Sequence, residues 1–465
     1  MKQRRAKQAS RKHFERKFEG RKPAPAEPGG IEKLVQIEKP IYGGAFLTHS
    51  EGKAVFVPLT VPGEQVRVRI IESKRGYATA EVEEIVAASP ERIAPGCRHF
   101  GICGGCNYQH ADYATQLVFK EAILRETLER GGVRATEEIS VLSAVTESQA
   151  WGYRNRIRLA LDADGNPGYR GRRSHAVIAI SECPIAAPLL VKAARSFAEV
   201  VRSFSSLVRP TEISLFCDAG ETSLLASVFT AGDSKGRGRS LDDFAGALAK
   251  QNSALKGIEF VAEEPTGGRR SLPSSRTFPQ WGEQSLIYRA AGFDYRVDHG
   301  AFFQVNRWLV DGLVEEVTSG RKGALAWDLF AGVGLFARKL TESFARVIAV
   351  ESAPSAMAAL SENLRGTGGS AVRASTLEFL QRDKGAERPD LIVVDPPRTG
   401  LEAEITSLLA EVGAPELIYV SCDPATLARD LRALLASGYE IQSMTLADLF
   451  PQTFHLETVV HLRRS

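Results

Sequence analysis

From about Asp298 onward the chain alternates short apolar runs with helical stretches, and this pattern limits the possible folds more than any other feature. Leu325–Phe330, Val347–Val350, Leu391–Val394 and Leu417–Val420 read as buried strands, with helices between them. Such alternation predicts an α/β domain with a mostly parallel, doubly wound sheet, whose ligands sit at the carboxyl ends of the strands. Those ends carry chemistry. The first runs into Ala331-Gly332-Val333-Gly334, the second ends in Glu351, and the third leads into Asp395-Pro396-Pro397-Arg398-Thr399-Gly400. The fourth stops at Ser421-Cys422-Asp423-Pro424, and Thr426–Leu435 then reads as a helix.

A cysteine on the lip of a strand, just before a helix N-terminus, sits where the helix dipole favours a thiolate. Alone it would more simply be a structural residue; its neighbours argue otherwise. A lone Gly-x-Gly is weak evidence, but here it follows a strand, and Glu351 closes the next strand about twenty residues on, suited to ribose hydroxyls. A dinucleotide would want a third glycine where Ala337 stands, so S-adenosylmethionine fits better than NAD. Asp328 and Asp395 point the same way. The final strand, His455–Leu462, begins with His455 and Glu457 on one face. Glu457 is either a solvated carboxylate or, if it reaches the crevice beside Cys422, a general base with its pKa raised by burial. A thiolate, a base and a methyl donor suit pyrimidine C5, which becomes nucleophilic only after a thiolate adds at C6.

A chain of 465 residues is long enough for two or three domains. Its 43% hydrophobic and 25% charged residues are those of a soluble globular protein. No apolar run is long enough to span a membrane, and the N-terminus lacks a signal-peptide core, so a cytoplasmic protein without membrane partners is expected. Six cysteines in that compartment are metal ligands or nucleophiles rather than disulfides. The net charge of +3 hides an asymmetry: residues 1–22 hold ten Lys or Arg against Glu15 and Glu19. This arm is either simply solvated or a non-specific RNA contact. Pro23–Gly30 reads as a linker.

Residues 31–90 read as a small β-barrel with strands at Ala54–Val57, Gln65–Ile70 and Tyr77–Val82. Gln65, Arg67 and Arg69 share one strand face, and small barrels of this kind often bind single-stranded nucleic acid. Next comes Cys97-x5-Cys103-Gly104-Gly105-Cys106, with Cys183 further on. Soft thiolates in this number suit an iron–sulfur cluster or zinc, and the spacing, which lacks paired Cys-x2-Cys knuckles, favours [4Fe–4S]. Cys217 reads as core. Tyr113–Arg130 reads as an amphipathic helix. Arg154, Arg156 and Arg158 share a strand face that is either solvated or an RNA-backbone track. Loops at Gly232–Ser240 and Pro265–Arg276 carry no assignable chemistry.

Together these motifs resemble the RNA uracil-5-methyltransferases that make 5-methyluridine, particularly ribosomal RNA enzymes with a TRAM domain and an iron–sulfur cluster. The resemblance runs from about Ile31 to the C-terminus. It rests on the cysteine loop with Cys183, Phe302-Phe-Gln-Val-Asn306, Asp328-Leu-Phe-x-Gly-x-Gly, Asp395-Pro-Pro-Arg-x-Gly, Ser421-Cys422-x-Pro and His455-x-Glu457. The barrel resembles a TRAM domain in its Gly-Gly start and Val-Pro-Gly-Glu turn. The resemblance implies Cys422 as nucleophile and Glu457 as base. It implies Gln304, Phe330, Glu351 and Asp395 around S-adenosylmethionine, and Cys97, Cys103, Cys106 and Cys183 on a [4Fe–4S] cluster. The chain is expected to divide into four parts: a basic tail and linker over 1–30, outside the family pattern, a TRAM-like barrel over 31–90, a central α+β cluster domain over 91–297, and a Rossmann-like methyltransferase domain over 298–465. Residues 116–145 are expected to pack on the catalytic domain. Asp423, where Asn is common, and Leu335, where a polar residue is common, depart from the pattern without removing a reacting group. Ribosomal RNA is favoured over tRNA as substrate, and a monomer is the default. Two rivals are a non-catalytic iron–sulfur RNA-binding protein, which needs none of the reacting groups, and an amino-directed methyltransferase, which leaves Cys422 and Glu457 idle.

Overall fold

The computed structural model describes residues 31–204, 210–231, 238–263, 280–383, 385 and 387–464. The basic arm, its linker and the stretches 232–237 and 265–276 lie outside them; Gly238–Ser240, expected in a loop, open a helix, Gly238–Gln251. The chain forms two compact units, Met1–Ile123 with Gln452–Phe454, and Leu124–Pro451 with His455–Ser465. No helix among the described residues is long and apolar enough to cross a membrane.

The first unit is built on a six-stranded sheet in the order Glu32–Gln36, Gln65–Ser73, Tyr77–Ala87, Lys53–Pro58, Ala45–Ser50, Lys39–Ile41. Val66 and Val68 alternate inward, as a half-buried strand requires, while Arg67 and Arg69 face outward. That outer face is already neutralised: Arg67 pairs with Glu84 at 3.2 Å and Arg69 with Glu83 at 2.5 Å. The unit continues past residue 90, where the sequence suggested a boundary. The reason is packing, since Phe46 in the core meets the rings of Tyr108 and Phe119 at 5.9 and 5.3 Å. Cys97, Cys103 and Cys106 therefore belong to this unit.

The second unit contains two large sheets. The first has seven strands in the order Val177–Ala179, Pro167–Arg170, Arg156–Leu161, Pro210–Cys217, Leu224–Ala231, Leu255–Glu263, Gln280–Gly282. Helices Pro188–Phe204 and Gly238–Gln251 share its core with buried Cys217. The arginines of this sheet do not form an open track. Arg156 lays its guanidinium over Phe216 at 4.4 Å and donates to Ala301 O at 2.6 Å. Burial pushes its pKa down to about 10. Arg158 lies over Phe229 at 4.1 Å and pairs with Glu212 at 2.5 Å. Arg154 lies over Tyr153 and Phe450 at 5.7 and 5.9 Å. Arg156 is drawn inward, whereas Arg158 stays exposed with its charge paired by Glu212.

The other sheet has eight strands in the order Gly369–Arg373, Phe344–Glu351, Gly323–Leu329, Leu391–Val394, Glu416–Ser421, Glu457–Arg464, Tyr439–Ala447, Ser140–Leu142. Its middle strands are buried on both faces, which is why Leu391–Val394 is an unbroken apolar run. After Gly323–Leu329 the chain builds outward on one side, then crosses to the other at Leu391–Val394. In sheets of this kind, ligands sit at such a switch point, beyond the carboxyl ends of the strands. Two details differ from expectation. The last strand starts at Glu457, leaving His455 in the preceding coil, and it runs antiparallel between Glu416–Ser421 and Tyr439–Ala447. Ser140–Leu142 closes one edge, parallel to Tyr439–Ala447. Gly131, just past helix Tyr113–Arg130, abuts Ala428, leaving no room for a Cβ.

Candidate active site

The cofactor side is built from the loop after Gly323–Leu329. Phe330 turns the chain out of the strand with φ 67°, a left-handed conformation that a side chain adopts at an energetic cost. Gly332 and Gly334 continue the turn with φ 57° and 88°, and a Cβ on Gly334 would lie 2.7 Å from Leu360 Cδ1. Glu351 holds this loop from the neighbouring strand. One oxygen accepts from Gly332 N–H at 2.8 Å, the other from Ser352 and Ala353 N–H at 2.6 Å. Asp328 braces it from below by accepting Ala337 N–H at 2.8 Å. Ala337 is thus a buried first-turn residue of helix Leu335–Leu340, which explains an alanine where a dinucleotide site has glycine. Asp328 is fully buried, its Oδ1 has no partner among the described residues, and burial pushes its pKa up to about 8.

The reacting side follows from strand register. Leu329 opposes Val394 and Val394 opposes Tyr419, so Phe330 and Asp395 emerge together at neighbouring tips. Ser421 opposes Thr458 in the antiparallel pair. The next opposed residues are Cys422, one step forward, and Glu457, one step back. Gln304 enters from the segment before helix Val310–Thr318 and places Nε2 3.5 Å from Asp395 Oδ2. Its backbone oxygen accepts from Asn155 Nδ2 at 2.8 Å. Cys422, Glu457, Asp395 and Gln304 are thus gathered at one end of the sheet, with Phe330 beside them and Glu351 one strand further over on the glycine loop.

The electrostatics are those of acids crowded away from water. Burial first, then the neighbouring Asp395, raise Glu457 well above the usual carboxylate range, while Arg398 opposes. Burial pushes Asp395 up to about 7. Cys422 corrects the expectation of a dipole-favoured thiolate: burial, followed by Glu457 and Asp395, pushes the thiol up to about 12, with Arg398 opposing. The dipole is spent locally, because Asp423 caps helix Pro424–Ala436 by accepting Ala425 and Thr426 N–H at 3.0 Å. Sequence reasoning gave Arg398 and His455 no role, yet Arg398 Nη2 donates to His455 Nδ1 at 3.3 Å beside the reacting groups.

The expected cluster ligands are half-buried. Cys97, Cys103 and Cys106 lie on a tight loop in the first unit; Cys183 lies in the second, 3.8 Å from Tyr169 Oη, its thiol raised by burial. Among the described residues no three His, Cys, Asp or Glu side chains are gathered into a metal site.

A mostly parallel sheet with a glycine loop at its switch point, and with Asp395, Cys422 and Glu457 at the neighbouring strand ends, has the architecture of a methyltransferase. Comparison with known proteins narrows the class. Residues 280–465 match the family model described as tRNA (Uracil-5-)-methyltransferase, and residues 30–82 match the TRAM domain. An uncharacterized RNA methyltransferase of Streptomyces avermitilis is 33% identical over 93% of this chain and 98% of its own. The 23S rRNA (uracil(1939)-C(5))-methyltransferase RlmD of Halomonas elongata is 32% identical over 89% of this chain and 85% of its own. Among solved structures, the Pyrococcus abyssi tRNA (uracil-54, C5)-methyltransferase in complex with S-adenosyl-L-homocysteine has the same fold. Its TM-score is 0.71 at 23% identity, covering 92% of this chain and 100% of that one. The chain belongs to the RNA (uracil-5-)-methyltransferase family and carries a TRAM domain.

Proposed function

We propose that this chain methylates C5 of a uridine in 23S rRNA through a covalent bond between Cys422 and C6, with Glu457 as the base that removes the C5 proton. The observation that carries this reading is the strand register, in which Ser421 opposes Thr458, so that the residues next in line, Cys422 and Glu457, come to the same end of the sheet. Glu457 is buried and Cys422 half-buried, so the uridine must leave its stack to meet them. The Cys422 thiol gives its proton to solvent, and the thiolate adds to C6, moving the C5–C6 π electrons so that C5 becomes nucleophilic. S-adenosylmethionine, when bound, supplies an electrophilic sulfonium methyl. Glu457 then takes the C5 proton, the C6–sulfur bond breaks and the C5–C6 double bond returns. A carboxylate raised by burial is a stronger base once ionised. The donor's pocket is assigned to Gln304, Phe330, Glu351 and Asp395; the left-handed turn at Phe330, Gly332 and Gly334 forms an open cradle there. The ribosomal substrate is supported by relatives about as similar as the Halomonas enzyme, which are named for 23S rRNA.

A [4Fe–4S] cluster on Cys97, Cys103, Cys106 and Cys183 belongs to the same proposal. The loop thiols are set on a compact turn, with Phe100 N–H bonded to Cys97 O, and Cys103 N–H to His99 O. Gly105 N–H donates to Cys103 Sγ at 3.4 Å, the kind of outer bond that orients a metal ligand. The chemistry at Cys422 makes no use of a cluster, so its role is to organise an RNA-binding surface. Iron analysis of anaerobic protein and of single Cys→Ser variants tests the ligands, and unchanged RNA affinity after cluster removal would refute the role.

The activity itself is tested by incubating anaerobic protein with methyl-labelled S-adenosylmethionine and unmodified total RNA. Label at uracil C5 of 23S rRNA, absent with Cys422→Ala, is expected. Label on tRNA would replace the substrate, and label on an exocyclic amino group would overturn the mechanism.

A further inference from the structure

The loop after Asp395 is fastened to the helix that begins beside Cys422. Thr426 Oγ1 donates to Arg398 O at 3.3 Å, Arg429 Nη2 to Thr399 O at 2.8 Å, and Leu401 N–H to Asp430 Oδ2 at 2.7 Å. Gly400 is required at the join: its φ is 73°, and a Cβ there would lie 2.4 Å from Asp430 Oδ2. The backbone of Arg398 is therefore held in a set place relative to Cys422. Its guanidinium is bracketed by His455 Nδ1 at 3.3 Å, and the His455 ring rests edge-on to Phe450 at 5.6 Å. Among the described residues, the charged groups acting on the Cys422 thiol are Glu457, Asp395 and Asp423, all acidic, against the cation Arg398. Asp423 is occupied as the helix cap.

We propose that Arg398 is the positioning residue that sets the ionisation of Cys422 and Glu457, and that His455 is the bracket that keeps its charge at the site. The reaction needs a thiolate at its start and a carboxylate at its end, two negative charges in one crevice, and a fixed guanidinium lowers the energy of both. The direction of Arg398's influence on each group agrees, lowering the thiol and the carboxyl alike. This inference rests on Cys422 being the nucleophile.

The test reads the thiol without requiring turnover. Holoprotein free of RNA is treated with iodoacetamide at pH 8.5, and modification of the Cys422 peptide is followed by mass spectrometry. Below the thiol pKa, each tenfold loss of thiolate slows alkylation tenfold. Arg398→Gln is expected to slow Cys422 alkylation about tenfold, and Arg398→Lys to restore most of the rate. His455→Ala is expected to slow it about threefold, by releasing the guanidinium. An alkylation rate in Arg398→Gln equal to that of the parent protein would overturn the proposal, as would failure of Arg398→Lys to restore it in a protein with unchanged melting temperature. A separate trapping reaction on RNA containing 5-fluorouridine distinguishes the underlying assignment: absence of an adduct on Cys422 in the parent protein would remove the nucleophile itself.

Discussion

Two buried carboxylate sites in this molecule are built in opposite ways. In the first unit Glu64 is fully buried, and its needs are met: Val61 and Ser89 N–H reach it at 2.9 and 3.3 Å. Arg92 forks onto both oxygens at 2.5 and 2.7 Å and gives a further bond to Leu59 O at 2.9 Å. In the second unit Asp328, Asp395 and Glu457 are held from water with no bidentate cation, and all three are pushed upward. Glu64 is a staple. The strand-tip acids are less fully satisfied, with Asp328 and Asp395 accepting one side-chain-directed bond each, from Ala337 N–H and Gln304 Nε2, and buried acids raised in this way suit the proton transfer proposed for Glu457.

That contrast can be attacked from both sides. The largest expected effect is at the nucleophile: Cys422→Ala should reduce methyl transfer by about 10⁴-fold or more without changing the melting temperature, measured with labelled donor. Glu457→Gln should slow turnover by about 10²–10⁴-fold. It should also let a methylated, covalent RNA–protein complex accumulate on a denaturing gel, because addition still proceeds and proton removal does not. In the first unit, Glu64→Ala leaves Arg92 buried and unpaired, and should cost about 3–5 kcal/mol in chemical denaturation.

Stability should also respond to pH differently in the two units. The raised acids of the second unit hold protons that unfolded carboxyls release near about pH 4. Their stabilisation is therefore present below that value and is lost as pH rises through about 7 for Asp395 and about 8 for Asp328. Asp328→Asn, an isostere of the protonated acid, should flatten this decline by a few kcal/mol at most, visible as a smaller loss of melting temperature between pH 5 and 9 on the order of a few degrees. The smallest effect is expected on the outer barrel face. Arg67→Gln with Arg69→Gln should change stability by about 1 kcal/mol or less and leave RNA affinity within about threefold, since Glu84 and Glu83 already neutralise that face. A large loss of RNA affinity there would show that paired arginines still contact phosphate.

The strand tips could be read from sequence because strands buried on both faces are written as apolar runs, and the residue that breaks each run lies at its end. Glu351, Asp395 and Cys422 were found in this way. The strand Gly369–Arg373 was not, because an edge strand with partly exposed residues leaves no such run. The antiparallel insertion of Glu457–Arg464 also escaped, since period-two patterning carries no direction. Alternation placed Arg154, Arg156 and Arg158 on one face but could not reveal that Arg156 lies on Phe216 and that Arg158 is paired by Glu212. For Cys422, position before a helix suggested a thiolate; burial and the cap by Asp423 reverse this, and both are properties of the folded chain. The unit boundary moved for a similar reason, because Tyr108 and Phe119 complete a core whose other side is about sixty residues earlier in sequence.

The account stands or falls on sulfur–carbon bond formation at one residue. RNA carrying 5-fluorouridine can accept the methyl group but has no C5 proton to lose, so a Cys–C6 bond formed during methylation should persist. Incubation of this RNA with protein and S-adenosylmethionine, followed by digestion and mass spectrometry, reads that bond directly. The expected result is a methylated fluorouridine nucleotide attached to the Cys422 peptide. Methyl transfer without any adduct, or an adduct on a different cysteine, would contradict the assignment of Cys422 and Glu457.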